Sequence, residues 1–267
     1  MLGELIANGR TSDVHRFGAD SAAKVLVPAT PQHWAEAEAS FTAAVRRLGI
    51  PAPEVRDVTV IDGRAAVIFE RIDGPSMWQR MLEHPNDVAT LARELASIQR
   101  SIHEAGVPAG LPSLVDRLKL KFSASMELGA DERTSAEALL DLQPVGAALL
   151  HGDLHPGNVL LGEDGPVVID WFDATVGHPA ADIARTTLLL SSEATDLRHL
   201  PGAAPELIVQ IQDQFAAAVS ARVDPAALHT WRRLRAAGRL AERTDLDVSG
   251  LLAIWREAAT GSVADDD

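Results

Sequence analysis

The chain has no cysteine among its 267 residues, which excludes disulfides, thiolate metal sites and a cysteine nucleophile. No apolar run approaches the roughly 20 residues that cross a bilayer, so no membrane partner is expected. The first residues, MLGELIANGR, lack a basic segment followed by an apolar one. A secretory signal is therefore not expected, and the cytoplasm is the expected compartment. Base is scarce: 24 Lys and Arg stand against 38 Asp and Glu, a formal net charge of −14. That balance argues against a nucleic-acid partner, whose binding relies on cations neutralising phosphates. No internal repeat or low-complexity segment divides the chain.

What is present is ordinary for a globular protein, with 46% hydrophobic and 23% charged residues. The length suffices for one large domain or two small ones with a sizeable core. The acid excess is uneven. Residues 1–75 carry 10 acids and 8 bases, whereas residues 76–267 carry 28 acids and 16 bases. An acidic second part attracts a cationic small molecule, although for charge alone solubility is a sufficient reason. The final ADDD reads as a solvated tail.

Residues 1–75 alternate strand and turn signals. Strands are expected at 2–7, 13–17 and 22–27, and a hairpin at 55–72 around Asp62-Gly63. Between them a helix is expected to start at Thr30-Pro31 and stop at Gly49. Trp34, Phe41, Ala44, Val45 and Leu48 follow helical spacing along it. Residues 73–78, with the turn-like DGPS, are the expected linker. Beyond it helices are expected at 87–106, 113–128, 132–142, 179–191, 204–223, 225–243 and 250–259. Short strands are expected at 147–150, 158–162 and 167–171.

One stretch concentrates chemistry: HGDLHPGNVLLGEDGPVVIDW, residues 151–171. His151, Asp153 and His155, completed by His178 or Asp170, could form a mononuclear metal site of a hydrolase. That reading gives no role to Asn158, or to Lys24, which sits mid-strand between Ala23 and Val25. A lysine flanked by apolar residues on a strand needs a reason to lose its water, and a phosphate supplies one. An edge-strand lysine that discourages aggregation is the plainer alternative.

The β-rich first part, the helical second part and HGDLHPGN together resemble the kinase-like fold in its aminoglycoside phosphotransferase branch. The likeness covers about residues 1–190. It implies an α+β, protein-kinase-like, two-lobed fold: a small β-rich N-terminal lobe with one helix (1–72), a hinge (73–78), and a larger, mainly helical lobe (79–267) carrying catalytic and acceptor groups. Asp153 and Asn158 are spaced as in H-R-D-L-x-x-x-N, and Asp170 matches the aspartate of D-F-G. The resemblance implies that Asp153 accepts the acceptor hydroxyl's proton and that Asn158 and Asp170 hold Mg²⁺. Lys24 then grips phosphates, set by Glu38 rather than Glu36 on the following helix. Gly9, Thr11 and Ser12 belong to the turn that covers the nucleotide. The carbonyl of Glu70 and the amide of Ile72 are expected at the purine edge, which does not separate ATP from GTP. His151 is expected as a scaffold residue, His155 as a group facing phosphate or standing just behind it, and Asp182 as the brace of the catalytic loop.

Two departures bear on the acceptor. Gly152 replaces the arginine of H-R-D, and Asp182 follows Asp170 by only twelve positions with no A-P-E between them. So short a segment offers no peptide platform, so the expected reaction is transfer from ATP or GTP to a hydroxyl of a small molecule. An aminoglycoside or another cationic antibiotic fits the acidic second part and implies a resistance enzyme. A metabolite kinase of choline, homoserine, ketosamine or sugar type is the alternative, and a nucleotide-binding pseudokinase is another. Glu206, Asp213, Glu242 and Glu257 are the carboxylates of the C-terminal helices that could face such an acceptor. The protein is expected as a monomer or a homodimer.

Overall fold

The computed structural model describes residues 2–9, 11–191, 205–242 and 247–258. The expected acidic tail, and the ends of the expected helices at 204, 243 and 259, lie outside them. The chain forms two compact units. One comprises residues 1–79 with 156–174, the other residues 80–155 with 175–267. This division differs from a contiguous second lobe beginning at 79, and the cause is a hydrogen-bonded hairpin. The amide of Leu161 donates to Pro75 O at 2.9 Å and that of Val168 to Pro51 O at 2.8 Å, which ties residues 156–174 to the first unit.

The first unit is built on an antiparallel sheet ordered β1-β2-β3-β5-β4. Its strands are β1 (Leu2–Asn8), β2 (Ser12–Phe17), β3 (Ser21–Leu26), β4 (Val55–Ile61) and β5 (Arg64–Glu70). Asp62 and Gly63 link β4 to β5 with φ of 50° and 75°, the two positive angles that a tight two-residue hairpin demands. Period-two alternation sorts the faces of β3. Ala23 and Val25 pack with Ala66 and Ile68 on one side. Leu26, on the Lys24 side, packs with Ala35 and Ala39 of helix α1 (Gln32–Arg47).

Helix α1 starts one residue later than Pro31, which stays extended with ψ of 142°. It stops as expected at Gly49, whose φ of 84° lets its amide donate to Arg46 O at 2.9 Å. Strands β7 (Val159–Gly162) and β8 (Gly165–Val168) pair as the attached hairpin. Strand β8 ends before Asp170, whose φ of 65° breaks the extended run. Trp171 follows fully buried and donates its indole N–H to Val168 O at 3.0 Å. Phe172 then stacks on Trp34 of α1 with centroids 4.9 Å apart.

The second unit is helical. It holds α3 (Val88–Glu104), α4 (Leu114–Ala124), α5 (Ala130–Asp141), α6 (Pro179–Leu189), α7 (Pro205–Val219), α8 (Pro225–Arg239) and α9 (Val248–Arg256), while α2 (Met77–Glu83) spans the boundary. One apolar cluster joins Leu118 and Phe122 of α4, Leu140 of α5, Ala184 and Leu188 of α6, Trp231 and Leu234 of α8, and Trp255 of α9. Helix α4 ends four residues earlier than its pattern predicts. The Ser125 hydroxyl accepts the amides of Glu127 and Leu128 at 3.3 and 3.4 Å, a local alternative to the helical ladder. Two three-residue strands, β6 (Ala148–Leu150) and β9 (Thr175–Gly177), pair antiparallel, and β6 ends just before His151. The second of them was not expected.

Gly74 in the linker has φ of 152°, and a Cβ there would collide with the Leu161 carbonyl oxygen. Gly74→Ala is expected to cost about 2 kcal/mol or more, because the strained backbone and the collision add. A urea-melt midpoint indistinguishable from the parent would show that the hairpin tolerates displacement.

Candidate active site

In the first unit the strand register assembles a cavity of about 430 Å³. Val14 lies opposite Lys24, and Arg16 opposite Ala22. Across the other edge of β3, Ala22 lies opposite Phe69. Because these residues share one face of the pleat, Val14, Ala22 and Phe69 line the cavity's apolar side together with Ile6, Leu160 and Ile169. Lys24, Glu38, Asn158 and Asp170 supply its polar lining. The apolar residues carry no chemistry of their own, and sequence reasoning passed over them. Their only signal was position, two residues from Lys24 or beside Asn158 and Asp170.

Lys24 is only 8% exposed. Its Nζ lies 2.6 Å from Glu38 Oε1 and 3.0 Å from Asp170 Oδ1. Burial disfavours the ammonium, but Asp170 and then Glu38 outweigh it and raise its pKa. Glu38 is buried and its pKa is raised by that burial, with Lys24 opposing. Glu36 instead accepts from Gln32 on the exposed side of α1 at 3.0 Å. Asp170 reaches Lys24 from a left-handed backbone that is uncommon outside glycine.

Gly9, Ser12, Glu70 and Ile72 also line the cavity, whereas Thr11 and His155 are not part of its lining. Thr11 is exposed, and its carbonyl accepts the Val27 amide at 2.9 Å. The Gly9 amide closes its own turn onto Ser12 O at 2.9 Å, so that N–H is already engaged. His155 belongs to the second unit, where its Nε2 lies 4.0 Å from Asp153 Oδ2.

The second unit holds Asp153. His151 is fully buried, and its Nδ1 accepts the Asp153 amide at 3.2 Å. Gly152 has φ of 83°, which explains a glycine where an arginine was the pattern. Its amide donates to Asp182 Oδ1 at 2.8 Å. Asp182 Oδ2 accepts from Gln99 Nε2 at 3.2 Å and lies 2.9 Å from His103 Nε2. His103 is thus a buried histidine held by a carboxylate.

Sequence reasoning missed Arg185. Its Nη2 lies 2.7 Å from Asp153 Oδ1, and its Nη1 lies 3.0 Å from Glu242 Oε1. Lys121 Nζ sits 2.9 Å from the same Glu242 oxygen. Burial acts against ionised Asp153, yet Arg185 and then His155 hold its carboxyl well below the usual range. Of the carboxylates on the C-terminal helices, Glu242 is thus engaged, and Glu257 lies 3.3 Å from Arg232. Glu206 and Asp213 are exposed. Among the described residues no three His, Asp or Glu side chains converge as a metal cage requires.

The model of the phosphotransferase enzyme family matches residues 3–236. The chain belongs to that family and has a kinase-like α+β fold. The uncharacterized protein YcbJ of Bacillus subtilis (strain 168) is 29% identical over 175 residues, which are 59% of this chain and 56% of that protein. The match thus spans little more than half the length of that curated relative. Among solved structures, an aminoglycoside-3'-phosphotransferase of type VIII has a TM-score of 0.59 at 22% identity, covering 89% of this chain and 92% of that one. A thermostable mutant of the aminoglycoside phosphotransferase APH(4)-Ia, in ternary complex with AMP-PNP and hygromycin B, has a TM-score of 0.63 at 16% identity, covering 97% and 94%.

The buried carboxylates give the second unit a defined acid response. Against burial, His103 and then Arg235 hold Asp182 at about 2, below its ordinary 3.8. Arg185, Lys121 and Arg239 do the same for Glu242, at about 2 against 4.5. Depressed folded-state values mean stability that is present above the unfolded pKa and lost as pH falls through the folded one, on the order of 2–3 kcal/mol for each group. The melting temperature is therefore expected to drop steeply between about pH 4.5 and pH 2. Asp182→Asn should lower it at pH 7 and flatten that slope. An unchanged slope in this variant would remove Asp182 from the account.

Proposed function

We propose that the protein transfers the γ-phosphate of ATP or GTP to a hydroxyl of a small molecule. The observation that carries this reading is the cavity of the first unit, apolar on one side and charged around Lys24 on the other. Its apolar side suits a purine ring, with the Glu70 carbonyl and Ile72 amide at the base's edge. Lys24, set by Glu38, grips the phosphates as a buried, permanently charged donor.

The residues present fit Mg²⁺. Around Lys24 two carboxylates face one ammonium, a net charge of −1 that on its own repels a polyphosphate. Asp170 and the amide oxygen of Asn158 would hold a divalent cation, which would reverse that sign. One carboxylate and one amide oxygen are hard donors, the kind that would suit Mg²⁺. When bound, Mg²⁺ neutralises charge on the β and γ phosphates.

Asp153 orients the acceptor hydroxyl and takes its proton. A bond forms from the acceptor oxygen to the γ-phosphorus as the bond from that phosphorus to the β–γ bridging oxygen breaks, and ADP leaves with the electron pair. Asp153 is held ionised, ready to accept the hydrogen bond, and as a weak base it acts more through orientation than through early deprotonation. A metal hydrolase built on His151, Asp153 and His155 is disfavoured, since Asp153 is committed to Arg185. A pseudokinase is disfavoured by the joint presence of Lys24, Asp153, Asn158 and Asp170.

An aminoglycoside or other cationic hydroxylated antibiotic is the acceptor we favour, with a choline-, homoserine- or sugar-type metabolite as the alternative. A screen of ATP and GTP consumption with Mg²⁺ against aminoglycosides, macrolides, amino alcohols and sugars separates them. Asp153→Asn is expected to reduce transfer roughly 10³-fold or more while nucleotide affinity stays within about 3-fold. Lys24→Ala should chiefly weaken nucleotide binding, by roughly 10- to 100-fold. Near-parental transfer by Asp153→Asn would sink the assignment.

A further inference from the structure

We infer that Arg185 is a positioning residue for phosphoryl transfer: it holds Asp153 by one carboxylate oxygen, while Glu242 grips the guanidinium and fixes its plane. This deepens the reading above and rests on the role proposed there for Asp153.

The inference begins with how α6 meets the loop. Three side chains on one face of that helix, at positions i, i+3 and i+4, hold three consecutive loop residues. Asp182 accepts the Gly152 amide at 2.8 Å. Arg185 reaches Asp153 Oδ1 at 2.7 Å. Thr186 donates its hydroxyl to Leu154 O at 2.9 Å. Asp182 and Thr186 fix the backbone on either side, so they account for the loop's path. Arg185 adds nothing to that path. It acts on Asp153, the side chain to which proton acceptance is assigned.

The geometry of its other contact gives the reason for an arginine. Arg185 meets Glu242 in a two-pronged arrangement, Nη1 to Oε1 at 3.0 Å and Nη2 to Oε2 at 3.2 Å. Two parallel contacts fix the guanidinium plane, and the plane fixes where Nη2 presents its second N–H. That N–H meets Asp153 Oδ1, which sets the rotation of the carboxylate and turns Oδ2 to the side where His155 Nε2 lies at 4.0 Å. The Arg185 side chain is 6% exposed, so solvent does little to loosen it. Glu242 also has Lys121 at 2.9 Å, so satisfying Glu242 does not by itself require Arg185. A lysine at 185 would keep the charge but lose the fork.

The test measures initial rates of ADP release from ATP with Mg²⁺, using kanamycin, hygromycin B, choline and water as acceptors. Asp153→Asn, Arg185→Met, Arg185→Lys, Arg185→Ala and Glu242→Gln are compared with the parent, with circular dichroism as a check of folding. Arg185→Met is expected to lower kcat roughly 10- to 100-fold, the scale of a misplaced catalytic group, with KM for ATP within about 2-fold because Lys24 and its cavity are untouched. Arg185→Lys should recover only part of the loss, and millimolar guanidinium should restore turnover to Arg185→Ala. Glu242→Gln should lower kcat about 3- to 10-fold by loosening the plane of the fork.

A folded Arg185→Met enzyme with parental kcat, beside an inactive Asp153→Asn enzyme, overturns this inference alone. An active Asp153→Asn enzyme, or a parent silent with every acceptor, overturns the proposed function and this inference with it. Should the Arg185 variants fail to fold, Glu242→Gln decides: a folded protein with unchanged kcat rejects the positioning role.

Discussion

The first unit depends on the ammonium of Lys24, buried between two carboxylates. Removing such a charge from water costs several kcal/mol unless partners replace the lost hydration. Glu38 and Asp170 do so at 2.6 and 3.0 Å. Each must be delivered by a different piece of chain, and much of the local architecture follows from that demand. Helix α1 lies against the Lys24 face of β3, so that Glu38 projects onto it. The β7–β8 hairpin is stitched to the linker and to Pro51, and Asp170 takes an uncommon backbone conformation at its end. Trp171, fully buried, and Phe172, stacked on Trp34, hold that conformation from the far side. Strain at Asp170 is thus compensated by aromatic burial on the next two residues.

In the second unit the organising element is α6. A loop has no ladder of its own, so its backbone and side chains need external partners. One face of α6 provides them in sequence order, and Gln99 of α3 locks that face by donating to both Asp182 and Thr186 at 3.2 and 3.0 Å. A rigid helix carrying the contacts to Gly152, Asp153 and Leu154 is a more precise template than loop-to-loop packing.

The short-range parts of this design were legible in the sequence. Asn158 and Asp170 both reach the cavity of the first unit because they flank one short hairpin. The apolar flanks of Lys24 marked it as a buried cation, and the family resemblance pointed to Glu38 over Glu36. What was not legible depends on distance along the chain or on extreme brevity. Arg185, Glu242 and Lys121 come from three segments, and no local pattern announces that they meet. Strand β9 has three residues, too few to show a period. The early end of α4 turns on a single serine hydroxyl that competes with the helix. Thr11 and His155 matched the resemblance by position, but sequence position does not fix which way a turn faces.

The acidity of residues 76–267 takes on a different meaning once its partners are known. Net charge sets a long-range field, but recognition at contact distance depends on carboxylates not already neutralised. Several acids of the second unit are spoken for: Glu242 by Arg185 and Lys121, Asp182 by His103, and Glu257 by Arg232. A polycationic acceptor seeking Glu242 would have to displace a buried arginine and a lysine, leaving one of them without its counter-charge, which is the costliest way to break such a pair. Glu242 therefore serves the geometry of Asp153 and not the charge of the acceptor. Affinity for a cationic antibiotic would have to come from carboxylates elsewhere in the second unit, whereas a neutral hydroxylated acceptor requires none.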